Sequence, residues 1–294
     1  MSLDFGWIAT WLRRYWLAVW FIVISTIAVG QLVLAGFSPT GDADLYLTAT
    51  RRWMNGVDPW SMPVGDWYFA APPPTLLVMA PFALLPQAIG PWVVLATTVA
   101  AGIATVRLLS LPWWWLAFPP LLLSMFGNPQ AWLVPLIVGG FGWLAPIVKV
   151  YAAPVLILLF KWRDVFIAGV ILLATAPLLP WASYISQFGA ISEHLAEQSG
   201  GFSAFGNPIL MGIAAVALVL VGRERAAWMI SPALWPSTQW YYDSLAVPAL
   251  LPVSAAVLAI PLPGLIVVAL VVMVVESRRT VASTQPVPQP SPAG

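Results

Sequence analysis

The chain has 294 residues, of which 61% are hydrophobic and 8% are charged, with 12 basic and 11 acidic side chains. Soluble domains carry about 25% charged residues, so this composition excludes a water-covered surface and indicates an integral membrane protein. The net charge of +1 gives no reason to expect a nucleic-acid partner. The lack of cysteine excludes disulfides and thiolate metal sites, and the presence of only one histidine argues against a histidine-based metal centre.

The first predicted membrane segment is the apolar run 15–37. It is too long for the core of a signal peptide, so it predicts a span that is retained in the mature protein. Arg13 and Arg14 precede this run, and positive charges beside a span favour the cytoplasmic side. The N-terminus is therefore predicted to be cytoplasmic, and the next segment, 38–72, is predicted to be the first outer loop.

The first outer loop collects charge in a chain that otherwise avoids it, which makes it a promising place to look for chemistry. Its six charged residues are Asp42, Asp44, Arg51, Arg52, Asp58 and Asp66. A short helix is predicted over 44–55, with Asp42 and Asp44 near its start, where acidic side chains suit the helix dipole. Either carboxylate could instead serve only to cap this helix.

Apolar segments recur along the rest of the chain and predict about 10–11 spans, several of them shorter than the roughly 20 residues that a full span prefers. Charged turns at Lys161 and Arg223 are predicted to be cytoplasmic. A second outer loop, 182–207, then returns to the same side as the first. The predicted fold is an all-α, polytopic transmembrane helical bundle over 1–279, with short amphipathic helices in its outer loops. The tail 280–294, rich in Ser, Pro and Gln, is predicted to be disordered.

Lys149 lies within the apolar segment 143–160. A lysine inside a span costs around 2.5–3.5 kcal/mol on insertion scales, so it needs a partner or a function. The simpler alternative is that its ammonium reaches the outer headgroups. A carboxylate, a cation and access to lipid are the groups needed to move a group from a lipid phosphate to a hydroxyl. The carboxylate takes the hydroxyl proton, and the cation stabilises the departing phosphate.

Short motifs follow one another in a recognisable order. They are Asp42 with Tyr46, GVDPW at 56–60, YFAAPPP at 68–74, GNPQ at 127–130, Lys149 followed by Pro154, and Ser231-Pro232 followed by QWYY at 239–242. This order resembles that of the GT-C-type polytopic glycosyltransferases that use polyprenyl-phosphate sugars, especially the alpha-mannosyltransferase branch. The resemblance covers most of 30–250. Tyrosines stand where that family has a histidine in the last motif.

The resemblance implies a multi-pass hexosyltransferase of a bacterial-type plasma membrane, active on the outer face and without a cofactor or metal. It would move a sugar, mannose first among the candidates, from a polyprenyl-phosphate donor to a hydroxyl of a lipid or glycan acceptor. The role of general base falls to Asp42, with Asp44 as its rival. The candidate substrate-binding residues are Tyr46, Arg51, Arg52, Tyr68, Lys149, Glu193, His194, Gln239 and Tyr242. Of these, Arg51, Arg52 and Lys149 are the candidates for binding the donor phosphate.

Two other functions are compatible with the sequence. A non-catalytic, GT-C-like membrane subunit could bind a lipid-linked sugar or scaffold a partner, and the short chain and the missing histidine favour it. A transporter should carry ionisable groups at mid-depth on several spans. Lys149 and Arg107 are the only residues that meet this description.

Overall fold

The computed structural model describes residues 6–64, 67–199, 202–236 and 238–284. It is all-helical, as predicted, with about 73% of the chain in helices and no strand among the described residues. The α-helices are α1 (Gly6–Leu34), α2 (Gly41–Met54), α3 (Pro74–Ala83), α4 (Gly90–Leu108), α5 (Pro119–Ser124), α6 (Leu133–Val138), α7 (Ala145–Val148), α8 (Ala153–Leu158), α9 (Trp162–Thr175), α10 (Trp181–Ser199), α11 (Pro208–Val221), α12 (Arg223–Leu234), α13 (Pro252–Leu258) and α14 (Leu265–Thr284). Short 3-10 helices cover Trp113–Ala117, Pro129–Trp132, Gly142–Leu144, Val150–Ala152 and Trp240–Ala249.

Two helical stretches of the described chain are long and apolar enough to cross a membrane, namely Arg14–Leu34 in α1 and Gly90–Leu108, which is α4. Shorter apolar stretches occur at Pro74–Ala83, Pro129–Val138 and Pro208–Val221. At 1.5 Å per residue, helices of 10–14 residues reach about 15–21 Å, less than the roughly 30 Å of a hydrocarbon core. The bundle of about 10–11 spans is therefore not confirmed, and the multi-pass arrangement stays a prediction.

Proline explains why the middle of the chain forms short helices. Pro119, Pro146 and Pro154 each stand in the first turn of a new α-helix, where the missing N–H would have no helical partner. The apolar segment 143–160, predicted as one span, does not form one continuous helix. At Lys149 the backbone is extended (φ −146°, ψ 112°), and it separates α7 from the 3-10 helix Val150–Ala152.

The predicted helix in the first outer loop is confirmed as α2, which begins three residues earlier than expected and so includes Asp42. It ends before Gly56, whose φ of +73° suits a glycine. One face of α2 is buried and packs into a cluster formed with α3, α4 and the loop residues Trp60 and Phe69. The buried residues of that face are Ala43, Tyr46, Leu47, Ala49 and Thr50. This packing positions the first turn of α2, with its two aspartates, against the rest of the fold.

The predicted second outer loop is largely helical, because α10 occupies most of it. This helix contacts the first outer loop directly. Ser183 Oγ and Gln187 Nε2 both donate to Asp58 Oδ2, and the Tyr184 ring lies 5.2 Å from the ring of Trp60. The two predicted outer segments therefore lie on one face of the molecule. At the other end of the chain, α14 extends to Thr284, so the first residues of the predicted disordered tail are helical, and 285–294 lie outside the described residues.

This shared face makes the predicted topology testable. Ser61 and Ser186 are exposed and lie in the two segments predicted to be outer loops, and the chain has no native cysteine. We expect Ser61→Cys and Ser186→Cys each to react with a membrane-impermeant maleimide on intact cells. The control Arg223→Cys, at an exposed position in the predicted cytoplasmic turn, should react only after permeabilisation. Reaction at only one of the two serines would contradict the topology.

Candidate functional site

The first turn of α2 places Asp42 against the turn that follows α5. Asn128 Nδ2 donates a hydrogen bond of 2.8 Å to Asp42 Oδ2, and Asn128 is only 1% exposed. Gly127 makes this approach possible. Its φ is +79°, and a Cβ added there would lie 3.0 Å from the Cβ of Ala43. Glycine is thus required both for the turn and for the close contact with α2.

Lys149 is the second charged group of the site. Its ammonium donates to the Tyr46 hydroxyl and lies 5.0 Å from the centroid of the Tyr46 ring and 5.4 Å from that of Tyr242. An ammonium within about 6 Å of an aromatic ring is attracted by the ring face. Tyr46 comes one helical turn after Asp42, so the two side chains share a face of α2. The carboxylate and the ammonium therefore belong to one cluster, although Lys149 is only 6% exposed.

The break at Lys149 is held in place by side chains from neighbouring helices. Thr75 Oγ1 on α3 donates a 3.0 Å hydrogen bond to the carbonyl of Val148. Ser231 Oγ on α12 donates to the carbonyl of Tyr151. These bonds satisfy carbonyls that a helix would otherwise pair internally, so the extended conformation at Lys149 leaves few buried polar groups without partners.

A network centred on Gln130 joins the late part of the chain to this cluster. Tyr151 Oη donates to Gln130 Oε1, and Gln130 Nε2 lies 3.2 Å from the carbonyl oxygen of Tyr242 and 3.3 Å from Ser244 Oγ. The rings of Tyr151 and Tyr242 are 5.0 Å apart. The 3-10 helix Trp240–Ala249 is thereby held beside Lys149, which explains how Tyr242 comes to face the ammonium.

The two aspartates of α2 have different environments. Thr40, which precedes the helix, donates a 2.9 Å hydrogen bond from Oγ1 to Asp44 Oδ2. Asp42 contacts Asn128 instead. Asp44 therefore contacts the residue that precedes α2, although no side chain caps the first turn of this helix. Asp42 is the carboxylate that faces the lysine cluster.

Both predicted phosphate-binding arginines contact the backbone. Arg51 donates to the carbonyls of Ala83 and Leu85 at the end of α3, at 3.1 and 3.2 Å. Arg52 donates to two carbonyls of the first outer loop, those of Met62 and Pro63. These bonds satisfy carbonyls that lack helical partners. The arginines thus hold the loop around α2, and their binding of phosphate stays a prediction.

The remaining predicted site residues are spread along the chain. Gln239 is partly buried and precedes the 3-10 helix, where its carbonyl accepts from the backbone N–H of Tyr242 at 2.9 Å. Tyr68 is partly buried in the first outer loop. Glu193 is exposed on α10, and the side chain of His194 lies outside the described residues. Of the predicted set, the described contacts bring together Asp42, Tyr46, Lys149 and Tyr242.

Three residues of the cluster carried no predicted role: Asn128, Gln130 and Tyr151. The sequence did contain a signal for the first two. They are polar residues on either side of a proline in an apolar stretch, and buried polar groups in such stretches are costly unless they are paired or used. GNPQ at 127–130 contributes to the family resemblance, but the contact of Asn128 with Asp42, 86 residues away, has no local signature in the sequence.

Burial raises the pKa of the Asp42 carboxyl above its ordinary value of 3.8, while the Asn128 hydrogen bond and the Lys149 charge oppose this rise. A raised pKa brings the carboxylate closer to the range in which it can take up a proton effectively during a reaction near neutral pH. The raised pKa also affects stability, because the folded state binds this proton more tightly than the unfolded chain does.

The effect of pH on the stability of Asp42→Asn follows from this shift. A carboxyl with a raised folded pKa contributes stability below its unfolded pKa and loses that contribution as the pH rises through its folded pKa. Asparagine does not titrate, and it keeps an acceptor for Asn128. We therefore expect the thermal midpoint of Asp42→Asn in detergent, measured relative to that of the wild type, to increase as the pH is raised from 4 to 8. A decrease in this difference with rising pH would show that the pKa of Asp42 is lowered in the folded state instead.

Comparison of this chain with protein families, with curated proteins and with solved structures gives no match. The chemistry of the site is therefore interpreted from its own geometry.

Proposed function

We propose that this chain is a multi-pass membrane glycosyltransferase that moves a sugar, mannose first among the candidates, from a polyprenyl-phosphate donor to an acceptor hydroxyl on the outer face. The observation that carries the proposal is the cluster of Asp42, Tyr46 and Lys149. The hydrogen bond from Lys149 to Tyr46 joins residues 103 positions apart. A carboxylate and a cation are held together in this way in a chain with few charged residues.

The roles follow from the chemistry of sugar transfer. The acceptor hydroxyl gives its proton to the Asp42 carboxylate while its oxygen forms a bond to the anomeric carbon of the sugar. The bond from that carbon to the phosphate oxygen breaks, and its electron pair stays on the phosphate, whose charge the Lys149 ammonium stabilises. Glycoside hydrolases need a second carboxyl as acid because an alkoxide leaves poorly. A phosphate leaves as an anion, so one carboxylate can suffice.

Burial makes the Lys149 ammonium more effective. Lys149 is enclosed by the rings of Tyr46 and Tyr242, which exclude water from the ammonium. Electrostatic interactions are stronger in such surroundings than in water. Groups that are already in place when charge develops need no reorganisation during the reaction. The site therefore has the properties expected for stabilising a departing phosphate.

Exposed apolar side chains support the membrane location beyond the two helices that are long enough to span. On α9, Phe166 is 72% exposed and Leu173 is 77% exposed, and on α11, Val219 is 80% exposed. Soluble monomers rarely present large contiguous apolar surfaces to water. Contact with lipid along α9 and α11 accounts for these side chains, so we assign both helices to the membrane-embedded part.

The direct test is sugar transfer from radiolabelled polyprenyl-phosphate mannose in membranes that contain the chain, with extracted lipids and glycans as acceptors. We expect labelled product with the wild type and a large loss with Asp42→Asn. Polyprenyl-phosphate donors of other hexoses, tested in parallel, identify the sugar. Donor binding without transfer from any of them would instead identify a non-catalytic subunit that binds a lipid-linked sugar.

A further inference from the structure

We infer that Asn128 is a positioning residue for Asp42, which holds the carboxylate in one orientation and supplies an N–H donor to its charged form. This inference rests on the proposed function, because the Asp42 carboxylate needs a fixed orientation only if it acts as the general base. Asn128 belongs to the GNPQ motif, which gives it no specific role, and its contacts in the structure supply one.

The direction of the Asn128 amide is determined by a second hydrogen bond. The backbone N–H of Gln130 donates to Asn128 Oδ1 at 2.9 Å, so Nδ2 is the atom that faces Asp42 Oδ2 at 2.8 Å. A flipped amide would place its oxygen against the carboxylate and its NH₂ group against an N–H. Both contacts would be repulsive, so only one orientation satisfies both neighbours.

The backbone around Asn128 is equally constrained. The residue precedes Pro129, which favours the extended conformation seen here (φ −89°, ψ 126°). Thr98 on α4 accepts from the backbone N–H of Gly127 at 3.2 Å and donates to the carbonyl of Met125 at 2.7 Å. The turn is thus attached to α4 on one side and meets α2 on the other. Asn128 cannot move away from Asp42 without breaking these contacts.

Several titratable groups face Asp42 from the elements around it. They are Tyr46 on α2, Lys149 at the break after α7, and Tyr241 and Tyr242 in the 3-10 helix Trp240–Ala249. Lys149 is the positive charge among them, and its ammonium bonds to the Tyr46 hydroxyl. Among the described contacts of Asp42, the bond from Asn128 is the direct one that stabilises the ionised carboxylate. Its loss should raise the pKa of Asp42 further.

Asn128→Asp tests this role with little change in shape. Aspartate keeps an acceptor for the N–H of Gln130, loses the donor, and places a second carboxylate beside Asp42. Two carboxylates that share a site cannot both ionise easily, so the pair should titrate at higher pH. We expect the acidic limb of kcat/KM against pH to move up by about one unit or more, with activity recovering at high pH. Asn128→Ser keeps a shorter acceptor, so it should move the acidic limb less. This variant replaces Asn128→Asp in the experiment if the aspartate variant does not fold.

Asn207 provides a matched control. It also precedes a proline, and its side chain caps α11 by accepting from the backbone N–H groups of Ile209 and Leu210, both at 3.1 Å. Asn207→Asp should therefore leave the pH profile where it is in the wild type. Equal loss of activity at every pH in Asn128→Asp, with no movement of the limb, would overturn the inference and leave Asn128 with only a structural role.

A second arm does not depend on transfer activity. In the double variant Asp42→Asn, Asn128→Asp the amide and the carboxylate exchange places, so their hydrogen bond can form again. We expect Asn128→Asp alone to lower the thermal midpoint at pH 7, and the exchange to recover most of the loss. No recovery would overturn the inference. If the double variant recovers stability but the wild type transfers no sugar, the pairing of the two residues is supported and the proposed function is rejected. The failure of the inference and the failure of the proposed function therefore give different results.

Discussion

Asp42→Asn is expected to lose about 10²- to 10⁴-fold in the rate of sugar transfer, which is the usual contribution of general-base catalysis. The substitution keeps the size of the side chain and an acceptor for Asn128, so expression, fold and donor binding should be retained. The loss should fall on kcat, because the carboxylate acts on the acceptor proton in the transition state. The measurement is initial rates with radiolabelled donor, together with donor binding to the purified variant.

Asp44→Asn is the control for this experiment. Two positions along a helix, its side chain points about 200° away from that of Asp42. Its described partner is Thr40, so it should transfer sugar at close to the wild-type rate, with a small loss of stability at the start of α2. If Asp42→Asn were active and Asp44→Asn inactive, Asp44 would be the general base instead of Asp42. Full activity in both would remove the first outer loop from the mechanism.

Lys149→Met is expected to weaken binding of the polyprenyl-phosphate donor by about 10- to 100-fold. A hydrogen bond to a charged group contributes roughly 1.5–3 kcal/mol, and each 1.4 kcal/mol changes an affinity tenfold. Methionine has a similar length, so it fills the space between the rings of Tyr46 and Tyr242 without a charge. Binding of labelled donor to detergent-purified protein measures the effect, and a thermal scan shows whether the fold is intact.

Two further variants separate charge from packing at this position. Lys161→Met removes a lysine from the predicted cytoplasmic turn and should bind donor normally. Tyr46→Phe keeps the ring beneath the ammonium and removes the hydroxyl that accepts its hydrogen bond, so its effect should be smaller than that of Lys149→Met. Donor binding by Lys149→Met at the wild-type level would exclude Lys149 from phosphate recognition.

The sequence predicted those parts of the site that depend on local pattern. Acidic residues before an amphipathic run, followed by a glycine, were enough to predict α2. Asp42 and Lys149 stood out because charged residues are rare in this chain and expensive in apolar surroundings. In the structure Lys149 donates to Tyr46, one helical turn after Asp42, and the joint action of the carboxylate and the cation stays a prediction.

Other parts depend on contacts that no local pattern records. The run 143–160 is apolar throughout apart from Lys149, so its hydropathy cannot distinguish one long helix from short pieces around an extended lysine. The break is stable because Thr75 and Ser231, far away in sequence, supply hydrogen bonds to its carbonyls. The same is true of the first outer loop, where the helix pattern of Arg51 and Arg52 does not reveal that their guanidinium groups reach the carbonyls of Ala83 and Met62.

The wide separation of the site residues along the chain has a consequence for the order in which the protein is made. Asn128 follows Asp42 by 86 positions, Lys149 follows Tyr46 by 103, and Tyr242 follows Gln130 by 112. At about 5–20 residues per second, synthesis from Tyr46 to Lys149 takes roughly 5–20 s. Throughout that interval Asp42 and Tyr46 lack the partners that come from the later part of the chain. The site is completed only when Trp240–Ala249 arrives, so a ribosome-bound chain that ends before residue 240 carries Asp42 and Lys149 without the finished enclosure.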